Sequence, residues 1–281
     1  MMRRQGAMLA NTTSLDTLDT LIESDMYWAD QKLDGHRGLL HVDDGRVRMV
    51  GRSGLDLPVI PTVYNPFKPM LDTGRWVFDG EYLDKTYYIF DVVEAGGGFI
   101  TPKTPYEDRR TFLEDFCGRW NPGRFGPVTL VPTFRTSKGK ARLVETVRTL
   151  GGEGMMFKRR TAPYSVGRSP NILKAKFRND VDCVVTKRGT DGKDNMTLCL
   201  WDSTDSQTRR LVEVGECTGL AGDGPRVKVG DVVTVIYQNA SKNNRLVMPT
   251  KPKIRTDKAP DECVMDQLVY FNKTVILEGE T

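Results

Sequence analysis

The chain has 281 residues, with 41 Lys+Arg against 37 Asp+Glu and a formal charge of +4. At about 100–200 residues per domain, this length predicts two domains, each able to bury its own core. Hydrophobic residues make up 38% and charged residues 28%, with a mean hydropathy of −0.43, which excludes a long disordered or fibrous protein. No run of about 18 apolar residues occurs, which excludes a membrane-spanning helix. Arg3 and Arg4 are not followed by an apolar stretch, so no secretory signal is read and a cytoplasmic location is expected. Cys117, Cys183, Cys199, Cys217 and Cys263 are never spaced C-x-x-C, and the only histidines are His36 and His41. This argues against structural zinc and for reduced thiols. Residues 181–281 carry 14 Lys+Arg and 15 Asp+Glu, leaving 27 and 22 for residues 1–180. A mildly basic first part suits a polyanion such as a nucleotide or nucleic acid, and a plain solvated surface fits the same balance.

Leu15, Leu18, Leu21 and Ile22 recur at helical spacing and predict a short opening helix. Residues 27–33 and 37–42 read as strands, and Asp44-Gly45 predicts a tight turn into a third strand over 46–50. Residues 55–74, rich in Pro and Gly, read as a loop. A second hairpin is predicted over 76–83 and 86–93, turning at Asp84-Lys85. Thr104-Pro105-Tyr106-Glu107 carries a capping-box pattern, and Phe112, Leu113, Phe116, Cys117 and Trp120 form the stripe of the helix it opens. A strand over 128–134 leads to a second helix marked by Ala141, Leu143, Val144, Val147 and Leu150 and stopped by Gly151-Gly152. Short strands over 155–158 and 172–177 close the first part.

After Phe177 the pattern changes to short strands at 181–186, 196–201, 211–217 and 232–237, separated by Gly/Asp-rich turns. About a hundred such residues predict a small barrel or sandwich, with a five-stranded oligonucleotide-binding (OB) barrel the natural candidate. Arg178-Asn179-Asp180 reads as the hinge, dividing the chain into domains 1–178 and 179–281.

Lys32-Leu33-Asp34-Gly35-His36-Arg37 fits K-x-D-G-x-R between two predicted strands. In order come Arg52-Ser53-Gly54, Asp79-Gly80-Glu81, Phe90-Asp91, Glu153 to Lys158, Lys174-Ala175-Lys176 and Arg255-Thr256-Asp257-Lys258. Taken singly, each piece has a duller explanation. Asp34-Gly35 can be a turn, Phe90 core, Glu153 a loop acid, Lys174 and Lys176 one solvated strand face, and Arg255 to Lys258 a charged loop. Taken in order they suit one chemistry. A free lysine amine titrates near 10.4, so at pH 7 only about one in 2,500 is a nucleophile. Attack on phosphorus needs neighbouring cations or metal, which Arg37, Lys174, Lys176 and a divalent ion would provide around Lys32. The same cations stabilise the oxygens of a departing pyrophosphate. Glu81 and Glu153 offer hard oxygens to magnesium, or partners to ribose hydroxyls.

This ordered series, from Tyr27 to Lys258, resembles the covalent nucleotidyltransferase superfamily, and within it the ATP-dependent DNA ligases of small bacteriophage and bacterial type. The resemblance implies an α+β fold: an ATP-grasp-like nucleotidyltransferase domain of antiparallel sheets with flanking helices, followed by a C-terminal OB-fold β-barrel. It implies that Lys32 forms lysyl-AMP from ATP, and that Asp30 stands where these ligases usually have a Glu beside adenine. Arg37 and Arg52 would bind the ribose and phosphate side, Glu81 ribose or metal, and Glu153 a second metal, as Mg²⁺ or Mn²⁺. Phe90 would stack on adenine, Lys174 and Lys176 would grip the α-phosphate, and Arg255 and Lys258 would orient pyrophosphate. The implied partner is nicked double-stranded DNA, handled by a monomer in replication, repair or recombination.

Messenger-RNA capping enzymes and RNA ligases share the first chemical step. Phe90-Asp91 within Tyr-Tyr-Ile-Phe-Asp and the compact spacing look more like DNA ligase, and R-x-D-K in a C-terminal barrel argues against phage RNA ligases that lack one. A reading from another class is a non-catalytic OB-fold nucleic-acid-binding protein. Such a relic has no reason to keep the lysine, both acids and both distal lysines. Only 31 residues precede Lys32, so no added N-terminal DNA-binding domain is expected. Duplex binding would then rest on phosphate contacts from Lys138, Lys140, Arg142 and Arg148, from Lys158, Arg159 and Arg160, and from Lys187 and Arg188.

Overall fold

A computed structural model describes residues 6–120, 127–189, 195–203, 207–218, 227–270, 272, 274–276 and 279. It divides into two compact units: one comprises residues up to Lys176 with the described C-terminal residues 274–276 and 279, the other Phe177–Asn272. The α+β class expected from the sequence is observed.

The first unit opens with β1 (Met8–Thr12), a 3-10 turn and α1 (Leu18–Glu23), which buries Leu18, Leu21 and Ile22. Then come β2 (Tyr27–Gln31), β3 (His36–Asp43) and β4 (Arg46–Gly51). Asp44 and Gly45 both take positive φ (46° and 70°), as the predicted two-residue turn requires. Residues 55–74, read as a loop, contain α2 (Pro61–Tyr64) and a 3-10 turn over Asn65–Met70. Pro61 starts that helix at a position where a missing N–H costs nothing, and Val63, Phe67 and Met70 are buried.

β5 (Trp76–Leu83) and β6 (Thr86–Glu94) form the second hairpin, with Asp84 and Lys85 at φ 48° and 68°. α3 (Tyr106–Trp120) lays its predicted stripe on this hairpin. Phe112, Phe116 and Trp120 join Trp76, Phe78 and Phe67 in one aromatic cluster, with ring centroids 5.0–6.4 Å apart. β7 (Val128–Leu130) is shorter than the predicted 128–134: beyond it the Val131 N–H donates to the Ile89 carbonyl, and Phe134 exchanges two hydrogen bonds with Ala29 as an isolated bridge. α4 (Ser137–Thr149) is capped by the Thr136 hydroxyl and buries Leu143, Val144 and Val147. β8 (Gly154–Arg159) and β9 (Gly167–Lys176) complete the unit.

Its strands form two sheets, ordered β1-β9-β8-β2 and β4-β3-β5-β6-β7. Most pairings are antiparallel, as expected, and two are parallel: β1 with β9 and β6 with β7. Side chains alternate across β3, so Leu40 and Val42 face the aromatic core while Leu39 turns the other way. Leu39, Val77 and Val93 there meet Met8, Tyr164 and Ile172 from the four-stranded side.

The second unit is a five-stranded sheet of β10 (Asn179–Arg188), β11 (Asn195–Trp201), β12 (Leu211–Thr218), β13 (Val232–Tyr237) and β14 (Thr250–Arg255), ordered β12-β11-β10-β13-β14. All its ladders are antiparallel, and among the described residues none joins the edge strands β12 and β14. Its core includes Val181, Cys183, Val185, Leu198, Val233 and Val235. All five cysteines are free and buried. β14, which ends at Arg255, pairs β13 and forms one edge of the sheet.

Candidate active site

β2 ends at Gln31, and the next residue, Lys32, donates its backbone N–H to the Gly154 carbonyl at 2.8 Å. Gly154 lies at φ 144°, and a Cβ there would sit 2.1 Å from the Ala175 carbonyl oxygen, so only glycine fits. That close approach sets Glu153 directly against the nucleophile candidate. Glu153, with its side chain 3% exposed, accepts from Lys32 Nζ through Oε2 and pairs with Lys176 Nζ through Oε1 at 2.9 Å. Lys174, two residues back on β9, faces the same cleft. Its ammonium is pushed down by burial and by Lys176, Lys32 and Arg168, against the opposing pull of Glu153.

The other wall is β3 and β5. Arg37 forks onto Asp79 with two bonds of 2.5 Å and reaches the Met8 carbonyl at 3.3 Å. Its guanidinium is held above its ordinary range: burial alone would lower it, and the Asp79 charge and hydrogen bonds overcome that. Glu81, opposite Arg37 in the β3–β5 register, accepts from the Gly35 N–H at 3.2 Å. Burial raises its carboxyl to about 7, although Arg37, Lys32 and the Gly35 N–H oppose the rise. Arg52 lines the same cleft from the exposed loop after β4.

Asp30, Lys158 and Phe90 also line the cleft. The Asp30 carboxylate accepts from Lys158 Nζ and from Thr133 Oγ1 at 2.6 Å. Lys158 Nζ and the Arg37 guanidinium lie 4.5 and 4.6 Å from the Phe90 ring centre. This cation-flanked ring is a surface on which a planar, electron-rich base gains by stacking.

On the second unit, Arg255 ends β14 and Lys258 follows it. Lys258 Nζ donates to Asp182 Oδ2 at 2.7 Å, and Arg255 Nη1 reaches both Asp182 oxygens at 3.3 Å. The remaining edge of Arg255 forks onto exposed Asp257 at 2.7 and 2.8 Å, and the Asp257 carboxyl is lowered to about 2 by those bonds.

The structure therefore brings Asp30, Lys32, Arg37, Arg52, Glu81, Phe90, Glu153, Lys174 and Lys176 to one cleft region, while Arg255 and Lys258 stand on the other unit. Two residues expected to contact DNA are buried instead. Lys140 is 0% exposed and its Nζ donates to the carbonyls of Leu21, Ser24 and Tyr27 at 3.3, 2.7 and 3.2 Å, tying α4 to the end of α1. Lys158 is 4% exposed and belongs to Asp30. Arg160 bonds Glu107 at 2.8 Å and Arg188 donates to the Val227 carbonyl, whereas Lys138, Arg142, Arg148, Arg159 and Lys187 are exposed. The sequence motif included Asp79 without giving it a role and missed Thr133 and Tyr164, whose hydroxyl donates to Asp79 at 2.7 Å. Asp79 was legible, since a period of two puts it on the face of Glu81. Thr133 and Tyr164 carried no signal.

Among the described residues no group of three or more His, Cys, Asp or Glu could cage a metal ion. Magnesium bound to phosphate needs only one or two carboxylates. Glu81 and Glu153 fit that demand.

The fold of the two units is similar to that of solved DNA ligase structures. Solved structures share it: 90% of this chain aligns with the whole of a Lig E DNA ligase, described as binding DNA with a minimal scaffold, at 18% identity and TM-score 0.61. Against Pmar-Lig PreS3, 89% of this chain and 67% of that chain align at 18% identity and TM-score 0.63. The ligase domain of LigD from M. tuberculosis aligns over 92% and 97% at 21% identity and TM-score 0.49. No protein-family model and no curated protein matches the chain.

Proposed function

We propose that the protein is an ATP-dependent DNA ligase that seals nicks in duplex DNA through lysyl-AMP. The observation that carries this reading is Lys32 seated on Glu153 at the mouth of a cleft that also holds Arg37, Glu81, Phe90 and Lys174.

Lys32 Nζ, once its proton has left, attacks the α-phosphorus of ATP. The N–P bond forms as the bond to the bridging oxygen breaks, and pyrophosphate departs with that electron pair. The Glu153 carboxylate orients the amine, and Lys174 and Lys176 stabilise the α-phosphate oxygens as charge develops on them. Phe90 supports the base, and Asp30, closed by Lys158 and Thr133, shapes the end of its pocket. Arg37 and Arg52 hold the ribose–phosphate side, and Arg255 and Lys258 orient pyrophosphate. Mg²⁺ or Mn²⁺ arriving with the nucleotide would neutralise phosphate charge, with Glu81 and Glu153 as oxygen ligands. A 5′-phosphate oxygen at the nick then displaces Lys32 from the adenylate, and the 3′-hydroxyl oxygen finally displaces AMP to close the backbone.

Incubation with Mg²⁺ and α-labelled ATP or GTP tests the reading. Label from ATP should enter the protein and vanish in Lys32→Ala, and a singly nicked DNA duplex should be sealed in preference to an all-RNA nick. Label from GTP alone would favour a capping enzyme, and persistent label in Lys32→Ala would refute the nucleophile.

A further inference from the structure

Asp182 is a residue that the reaction just described does not use. It lies on β10 opposite Thr234 of β13, and its side chain is 11% exposed. Each carboxylate oxygen is taken. Oδ1 accepts from the Thr234 hydroxyl and Arg255 Nη1, and Oδ2 accepts from Lys258 Nζ and, again, Arg255 Nη1. Gln267 Oε1 braces the arrangement, accepting from the Asp182 N–H at 3.3 Å and from Lys258 Nζ at 3.4 Å. Burial would raise the Asp182 carboxyl, yet the hydrogen bonds from Lys258 and Thr234 and the charges of Lys258 and Arg255 hold it below the usual carboxylate range.

Arg255 thus has two unlike arms. Nη1 is fixed on buried Asp182, whereas Nε and Nη2 face Asp257, whose side chain is 68% exposed. A carboxylate forked on a guanidinium has the same geometry as a phosphate there. The exposed Asp257 arm is the one a polyphosphate can exchange for its own oxygens; the Asp182 arm stays.

We propose that Asp182 is a positioning residue for nucleotide activation, holding Arg255 and Lys258 as one preformed cation pair for the β- and γ-phosphates of ATP; this rests on the ligase reading above. Two long, flexible side chains of like charge would otherwise spread apart and have to be ordered by each incoming nucleotide. Asp182 orders them beforehand, so its loss falls on phosphate affinity.

The test uses the full chain carrying Asp182→Asn. The half-saturating ATP concentration for labelling, and that of pyrophosphate for stripping AMP from labelled protein, should each rise about tenfold, with smaller changes in maximal rate. Closure of a nick that already carries AMP should stay within about twofold of wild type, since no pyrophosphate is handled there. In an Arg255→Ala/Lys258→Ala background, Asp182→Asn should add no further loss. Equal loss of labelling and of closure, unchanged half-saturation, or an additive loss in the triple variant would overturn the proposal. A wild-type chain that takes no label from ATP would instead overturn the ligase reading itself.

Discussion

Asp30 and Lys158, on the paired strands β2 and β8, form an ion pair that is 2% and 4% exposed. The Phe90 carbonyl and the Tyr106 hydroxyl flank the ammonium at 3.4 and 3.5 Å. Removing one partner strands the other charge in a medium that hydrates it poorly. Lys158→Met should therefore cost about 3–5 kcal/mol in urea unfolding, and Asp30→Asn on that background should recover part of the loss. A single-variant cost under about 1 kcal/mol would contradict this account of the pair.

Lys140 makes a separable claim on the basic face of α4. Lys140→Met leaves three carbonyls without their shared donor and should lower stability by about 2–4 kcal/mol. The salt dependence of nick binding should not change. Neutralising exposed Lys138, Arg142 and Arg148 should do the reverse, flattening the slope of log K against log salt by about one for each DNA phosphate that these side chains pair with. An unchanged slope would remove this helix from the DNA-binding surface.

Glu81 links the cleft to pH. With its carboxyl raised to about 7, it is part protonated at neutral pH, and binding of a divalent cation that needs the carboxylate should strengthen from pH 6 to 8. Glu81→Gln should remove that dependence, read by titration calorimetry with Mn²⁺ and ATP. For stability the sign is opposite. A carboxyl raised from 4.5 to about 7 contributes stability below about 4.5 that is lost as pH rises towards 7.

His41 works in the acid direction. It is 0% exposed, and burial together with Arg48 and Arg75 lowers its titration to about 4, against the pull of Asp56. Because the unfolded chain takes up a proton near 6.5, stability should fall by roughly 3 kcal/mol between pH 6.5 and 4. Denaturant melts of His41→Leu and wild type at pH 7 and pH 5 isolate this part, since Glu81 is common to both. Parallel losses in the two proteins would assign the acid sensitivity elsewhere.

Local chemistry made much of the fold legible. Asp44-Gly45 and Asp84-Lys85 turn where their sequences say, because the conformation of a two-residue turn is decided within the turn. The stripe from Phe112 to Trp120 likewise finds its hairpin, since helical period and apolar character are properties of the segment. The parallel strand β1 was not legible, being five residues whose only ladder among the described residues is to β9, far along the chain.

The linear order of Lys32, Glu81, Phe90, Glu153, Lys174 and Lys176, and the strand periods that carry them, could be read from the chain alone. The partner of each buried charge could not. Lys140 and Lys158 look like any surface lysine in sequence, and only folding brings carbonyls 113 to 119 residues away to one, and a carboxylate 128 residues away to the other. Burial and ion pairing are long-range properties of packing, and they decide whether a lysine meets solvent, a phosphate or its own protein.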